Sequence, residues 1–216
     1  MMPLATSNPS KPHRCPGEII SHAVWRSFRF PLSHRDVEEL LFVRGVIVSY
    51  EVIRPWCWQF GQAYANALRR RRPRPGDTWH LDEVFLTINK ARHYLWRAVD
   101  LDGNVLDILV QRRRHQQAAK KFFRKLLKGL TYVLRVIITD KLKSSGAAKR
   151  EIFPGVEHRQ HRYLNNRAEN SHQPTRQRER RMPGLQSPGQ AQRFLAADGP
   201  IAPHFRPRRH RVSAPK

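Results

Sequence analysis

Two periodicities divide the chain. Up to about residue 68, apolar side chains recur every three or four positions; from Thr78 they alternate with polar ones. The first pattern is that of helices with one buried stripe, the second that of strands with one buried face. Ile19, Ile20, Ala23, Val24, Ser27 and Phe28 predict a helix between Glu18 and Phe30. Ser33-His34-Arg35-Asp36 then reads as a capping box, a serine with an acid three residues on. Val37, Leu40 and Leu41 line the next helix, and Gly45 suits its C-terminal closure. Ser49 is placed to cap a further helix that starts at Tyr50 and carries Val52, Ile53 and Trp56. Helix, glycine turn and capped second helix outline a helix-turn-helix; a plain helical hairpin has the same spacing. Pro55 falls six places after that cap. A proline there removes a backbone donor at about 3 kcal/mol, so a kinked or impaired second helix is expected.

In the alternating half, Thr78–Ile88, His93–Asp100 and Val105–Gln111 read as strands. The turns between them are Asn89-Lys90-Ala91-Arg92 and Asp102-Gly103-Asn104, which predicts an antiparallel meander. Gln116–Leu127 is a helix with Ala119, Phe122, Phe123, Leu126 and Leu127 on its core face. Val133–Asp140 is nearly continuously apolar, as a buried strand should be. A helical stretch ending near Ile152, a short strand around Val156-Glu157-His158 and an arginine-rich helix around Glu169 follow. A meander, a crossover helix and a fourth strand beside the first describe an α/β, RNase-H-like (retroviral-integrase-like) catalytic domain. It is preceded by a small all-α helix-turn-helix domain. The expected division is a lead-in over 1–17, the helix-turn-helix region over 18–68 and a basic linker over 69–77. The catalytic domain then covers 78–182 and a basic tail 183–216.

Charge narrows the partner. Lys and Arg number 41 against 17 Asp and Glu, a net charge of +24. Such an excess points to a polyanion, most simply nucleic acid. No apolar run approaches the ~20 residues needed to span a bilayer, and the N-terminus lacks the apolar core of a signal peptide. Cys15 and Cys57 form no CxxC pair, which argues against a zinc ribbon or a disulfide scaffold; a cytoplasmic, nucleoid-associated protein fits. There is no glycine-rich phosphate loop, so no nucleotide cofactor is expected.

Against that basic background three acids gain interest. Asp82 is mid-way along the first strand, and Asp140 ends the fourth. These strands are neighbours in such a sheet, and ligands of open α/β sheets gather at carboxyl ends. A helix packed across that edge, capped by Asn165 or Asn166, would bring Glu169 to the same spot in its first turn. Three convergent carboxylates in a basic protein suit two Mg²⁺ ions holding a phosphate, with Mn²⁺ able to substitute. Any chain of this size has such acids in order, so the alternative is a surface residue and a turn former; the setting of each in one fold is what singles them out. Glu83 adjoins Asp82, but strand alternation assigns it to the opposite face. His80, Trp79, Tyr94 and Trp96 read as packing, while His158 and His161 are open between solvent, DNA and the metal site. The candidates for DNA contact are Ser49, Tyr50, Arg54, the run Arg69, Arg70, Arg71 and Arg72, then Lys141, Arg167, His172, Arg176 and Arg180.

Longer stretches carry a family likeness. WHLDEVF, VIITDK with GAAKREI, VEHRQHRYLNNRAENSHQPTRQRERRM and SPGQAQRFLAADGPIAPHFRPRRH resemble the DDE transposases of bacterial insertion sequences. The resemblance is to the insertion-sequence-six family and covers nearly the whole chain, including PLSHRDVEELLFVRGVIVSYEVIRPWC as that family's N-terminal helix-turn-helix. It implies a catalytic trio at Asp82, Asp140 and Glu169 with two divalent metals. It also implies double-stranded DNA as partner, both terminal inverted repeats and target. The implied reaction is 3′-end nicking by water, then attack of that 3′-hydroxyl on target DNA, giving cointegrates. Two ends to be joined imply a homodimer or larger assembly. The chain departs from the pattern at Pro55, at Trp56-Cys57-Trp58, at Ser145 in place of a tyrosine, and over Met182–Gln186. A second reading is therefore a degenerate, non-catalytic copy that only binds DNA.

Overall fold

The computed structural model describes residues 15–72, 74–129, 134–140, 143–160, 163–181 and 184–204. The chain forms two compact units: one of residues up to 70 together with those from 197 on, the other of residues 71–196.

The first unit is helical. Its helices are α1 (Gly17–Arg29), α2 (His34–Phe42) and α3 (Tyr50–Arg70). Ile20, Ala23, Val24 and Phe28 of α1 are buried, as are Val37 and Leu41 of α2 and Ile53, Trp56, Phe60, Ala65 and Leu68 of α3. The capping box forms as expected: Ser33 Oγ accepts from the Asp36 N–H at 3.1 Å, and Asp36 accepts from the Ser33 N–H at 2.7 Å. Gly45 takes a φ of 76°, and the Val46 N–H donates back to the Leu41 carbonyl at 3.0 Å. Gly61 is needed for close packing, because a Cβ there would lie 2.8 Å from the Phe28 ring.

One expectation for α3 is corrected. The Tyr50 N–H at its start is taken by the Glu38 carboxylate at 3.1 Å, while Ser49 contributes its carbonyl to Val52 and Ile53. The cap is thus supplied by the preceding helix. Pro55 lies inside the element, which is assigned as one helix of 21 residues. Proline forfeits one backbone bond there, and the apolar face that α3 buries on both sides of it outweighs that loss.

The second unit is built on a five-stranded sheet in the order β3-β2-β1-β4-β5. The strands are β1 (Thr78–Ile88), β2 (Ala91–Val99), β3 (Val105–Gln111), β4 (Val136–Thr139) and β5 (Glu157–Gln160). β1, β2 and β3 pair antiparallel; β4 pairs parallel with β1 and with β5. This is the RNase-H-like topology. The first turn is tighter than expected: Asn89 and Lys90 adopt φ values of 46° and 61°, and β2 begins at Ala91. Two successive left-handed residues make a hairpin turn whose twist matches the strands.

Helices cover both faces. Trp79, Leu81, Trp96 and Ile137 pack on one face with Ala119, Phe122, Phe123 and Leu126 of α4 (Gln116–Gly129) and Ala148 of α5 (Lys143–Ile152). Val84, Leu86, Ile88, Leu95 and Ile108 pack on the other with Ala168, Ala191 and Leu195. The last two belong to α8 (Pro188–His204), a helix where a basic tail is expected. Pro188 occupies its first position, where proline's missing N–H costs nothing, and Ser187 Oγ accepts from the Gln190 N–H at 3.2 Å.

The arginine-rich helix is two helices, α6 (Asn166–Ser171) and α7 (Gln173–Arg181), parted at His172 and preceded by a 3₁₀ turn at Tyr163–Asn165. Pro174 cannot donate to the Asn170 carbonyl, which weakens a continuous helix here. The Ser171 carbonyl instead accepts from the buried guanidinium of Arg97, which also reaches Thr175 Oγ1 at 2.9 Å. β4 pairs with β1 only from Thr78 to Leu81. Beyond that point the free edge of β1 is met by Glu179, which accepts from the Thr87 N–H at 2.7 Å, and by the Leu185 carbonyl, 2.9 Å from the Asn89 N. Among the described residues, no helix is long and apolar enough to cross a membrane.

Candidate active site

Parallel pairing brings the two aspartates together. Leu81 of β1 stands opposite Thr139 of β4, so Asp82 and Asp140 are the next residues along each chain. One carboxylate oxygen each from Asp82, Glu83 and Asp140 lie within 4.8 Å of one another, all three residues partly buried. Burial, then the charge of Asp140, raises the Asp82 carboxyl to about 7; Glu169 adds to this, while the Glu83 backbone N–H and Arg176 oppose it. Burial, then Asp140 and Asp82, raises Glu83 to about 8 against the pull of Arg114, 3.7 Å away. Crowded carboxylates with such raised values are under-compensated by the protein alone.

The presence of Glu83 corrects the expectation that strand alternation keeps it out. Alternation does hold as to face: Trp79 and Leu81 lie on the α4 side and Val84 on the other. Because β4 stops at Thr139, β1 has no strand on its β4 side at this level, and the longer glutamate side chain reaches Asp140 there. No pattern of faces read from sequence shows this; the short length of β4 does.

Glu169 is not in that close group. It sits exposed in the first turn of α6, where its charge contributes to the raised Asp82 value. Asn165 precedes α6 but does not cap it with its side chain. The buried Asn165 amide donates instead to the Leu81 carbonyl at 2.9 Å, tying the start of α6 to the residue before Asp82.

His172 is corrected as a DNA contact. It is 1% exposed, with Nε2 3.5 Å from Asp82 Oδ2. Burial, with Arg97 and Arg176 nearby, holds it well below the ordinary histidine range, so the ring is neutral. Sequence reasoning missed Arg97, which lies opposite Asp82 on β2 and fixes the α6–α7 junction. A lone arginine inside an alternating strand was the available signal.

His158 Nε2 lies 2.9 Å from Thr139 Oγ1, whose hydroxyl donates to the Asp140 carbonyl at 2.8 Å. With that hydroxyl proton spent, the imidazole is the donor in the first bond. His80, Trp79 and Trp96 are buried, as packing residues should be. Lys141 and His161 lie outside the described residues.

The remaining DNA-contact candidates divide by exposure. Arg176 and Arg180 are exposed on α7, as are Ser49, Arg54, Arg70 and Arg71. Tyr50 lies beneath the Arg35 guanidinium, 4.9 Å from the ring centroid. Arg69 binds Asn66 Oδ1 at 3.1 Å. Arg72 donates to the Val105 carbonyl at 2.7 Å, and Arg167 to that of Leu101.

A mixed sheet with acids at the end of its fourth strand defines a class: the metal-dependent enzymes that cut and join polynucleotide strands. Comparison with known proteins makes the class specific. Residues 76–206 match the family described as a DDE domain. A transposase for the insertion-sequence-like element IS431mec from Staphylococcus aureus strain Mu50 is 29% identical over 160 residues, covering 72% of this chain and 71% of that protein. The transposase of insertion sequence IS257 in transposon Tn4003, also from Staphylococcus aureus, aligns with the same identity and coverage. An uncharacterized Yersinia pseudotuberculosis protein is 33% identical over 75 residues, 33% of this chain and 68% of that one. Among solved structures, the magnesium-bound catalytic core of HTLV-2 integrase is 17% identical, with a TM-score of 0.35 over 46% of this chain and 68% of that chain. The chain belongs to the DDE transposases, in the insertion-sequence-six family. It is an insertion-sequence transposase, a polynucleotidyl transferase, and the divalent metal its family implies fits the all-oxygen donor set at Asp82, Glu83 and Asp140.

Proposed function

We propose that this transposase binds the terminal inverted repeats of its element, nicks their 3′ ends and transfers them to target DNA, with Asp82, Asp140 and Glu169 as catalytic trio. The observation that carries the reading is the convergence of carboxylates from β1 and β4 in a chain of net charge +24. Two Mg²⁺ ions there, replaceable by Mn²⁺, would supply Lewis acidity to the attacking and leaving oxygens.

The residues' own tasks follow from their places. Asp82 and Asp140 are held on adjacent strands and so keep a fixed spacing. Glu169 comes in on α6, anchored by the Asn165–Leu81 bond. Neutral His172 packs beside Asp82 without adding charge. Arg176 and Arg180 on the exposed face of α7 would take phosphates, while the helical unit, with Ser49, Tyr50 and Arg54 at the start of α3, would read the repeats. Binding to paired ends calls for at least a dimer, working at the nucleoid. The proposed division of labour is the helix-turn-helix at 18–68 and the catalytic domain from 78.

The test is labelled inverted-repeat DNA with Mg²⁺ or Mn²⁺. Wild-type protein should nick at the 3′ ends, and Asp82→Asn, Asp140→Asn and Glu169→Gln should each bind but not cut. Near-normal nicking by one of them would remove that residue from the trio.

A further inference from the structure

A strip of aromatic and arginine side chains runs away from the carboxylates along the α4 side of the sheet. Phe85 is 56% exposed at the middle of β1, two residues beyond Glu83 and therefore about 7 Å farther along the same face. Directly across from it on β2 is Tyr94, half-buried. The Arg92 guanidinium lies 5.3 Å from the Phe85 ring centroid. That of Arg114 lies 5.7 Å from the Tyr94 centroid and 3.7 Å from the Glu83 carboxylate. Arg112 and Arg113 are exposed beside it.

We propose that Phe85 and Tyr94, flanked by Arg92 and Arg114, form a stacking platform for unpaired nucleotides of the DNA strand next to the cleaved phosphate. The inference rests on the transposase reading above for where that phosphate sits. An aromatic face stacks any base, and adjacent guanidiniums pair with the backbone; together they are the chemistry of single-strand recognition. Four arginines around the patch favour a polyanion over an apolar protein partner. A duplex hides its base faces, so the platform engages only bases that have left the stack, as at a frayed or freshly nicked end. Phe85 lies one side-chain step from Glu83, a spacing that suits the nucleotide adjoining the one held at the acids.

The test measures binding by the full chain without metal, so that no cutting intervenes. The probes are a blunt duplex and the same duplex with a four-nucleotide unpaired 3′ tail carrying 2-aminopurine. Phe85→Ala should weaken binding of the tailed probe by roughly tenfold or more, the loss of one stacked base. It should leave the blunt duplex within about twofold and abolish quenching of the 2-aminopurine. Phe85→Trp should restore both tailed-probe binding and quenching; Phe85→Leu should restore neither. Equal losses on the two probes, no loss on either, or a change in sedimentation with tailed binding intact would overturn the proposal, the last in favour of an interface between copies. Failure of the transposase reading has a different signature: wild-type protein that never cuts repeat DNA with Mg²⁺ or Mn²⁺, whatever the binding comparison gives.

Discussion

On one face of β1, Asp82 stands beside a buried neutral imidazole, with α6 packed nearby. On the other, Glu83 stands beside a half-exposed arginine and an open aromatic strip. The two acids are adjacent, and their carboxylates approach the same Asp140. Both acids are largely enclosed, the Glu83 side chain at 4% exposure more so than that of Asp82 at 16%; what differs is the neighbour, a buried imidazole on one face and the exposed Arg114 and Phe85 on the other. The difference teaches that alternation sorts side chains by face but not by reach. Where a neighbouring strand ends early, both faces can serve one centre.

The sharpest break of that comparison is kinetic. Asp82→Asn should lower metal-dependent cleavage at least about a thousandfold, some 4 kcal/mol of transition-state stabilisation. Glu83→Gln should cost about 10- to 100-fold, as for groups that support a metal's ligands. Single-turnover rates on repeat DNA decide between them. Equal losses would make the two faces equivalent, and an active Asp82→Asn with an inactive Glu83→Gln would invert their roles.

Next comes pH. Both carboxyls are raised on folding, to about 7 and about 8, so the folded state holds protons that the unfolded chain has released. Their contribution to stability is fully present below about pH 4 and is lost as pH rises through about 7 to 8. Metal-free protein should lose on the order of 5 kcal/mol between pH 5 and pH 8, at least about 10 °C in melting temperature. Asp82→Asn should remove the Asp82 share of that slope and leave the Glu83 share, and Mn²⁺ at pH 8 should restore the wild-type loss. Identical slopes in wild type and variant would show that the crowding of acids has no energetic weight.

The Asp82 face can be loosened by itself. His172→Ala removes the imidazole beside Asp82 and should weaken Mn²⁺ binding about tenfold, read by calorimetry. Unchanged affinity would reduce His172 to filler. The smallest effect concerns the helical unit. Pro55→Ala returns a backbone donor to α3 and should raise affinity for repeats over random DNA severalfold, about 1 kcal/mol. An unchanged ratio in competition gel shifts would separate α3 from repeat recognition.

Much of the fold was legible because its signals are local. The Ser33–Asp36 box, the Gly45 closure, β1, β3 and the two turns of the meander all rest on residues within a few positions of one another. So was the meeting of Asp82 with Asp140, once the strand order was inferred. What escaped depends on distant partners. Asn165 looks like a cap but spends its amide on Leu81. His172 looks like a basic surface residue but is buried against Asp82. Glu83 is excluded by periodicity and readmitted by the early end of β4. Residues 188–204 look like a tail because Pro200, Pro203 and the arginines beyond outweigh the alanines and leucine that pack on the sheet.

The single bond from Asn165 to the Leu81 carbonyl also has a meaning in time. The meander closes through two tight turns and needs only near neighbours, whereas β4 and then α6 must return across long stretches of chain to reach β1. Near contacts form early and long closures late. The cutting centre therefore matures after the meander, and a growing chain remains harmless to the DNA around it until α6 has emerged and docked. Pulse-labelled hydrogen exchange during refolding should protect β1 and β2 before α6; simultaneous protection would mean the centre is ready as soon as the sheet is.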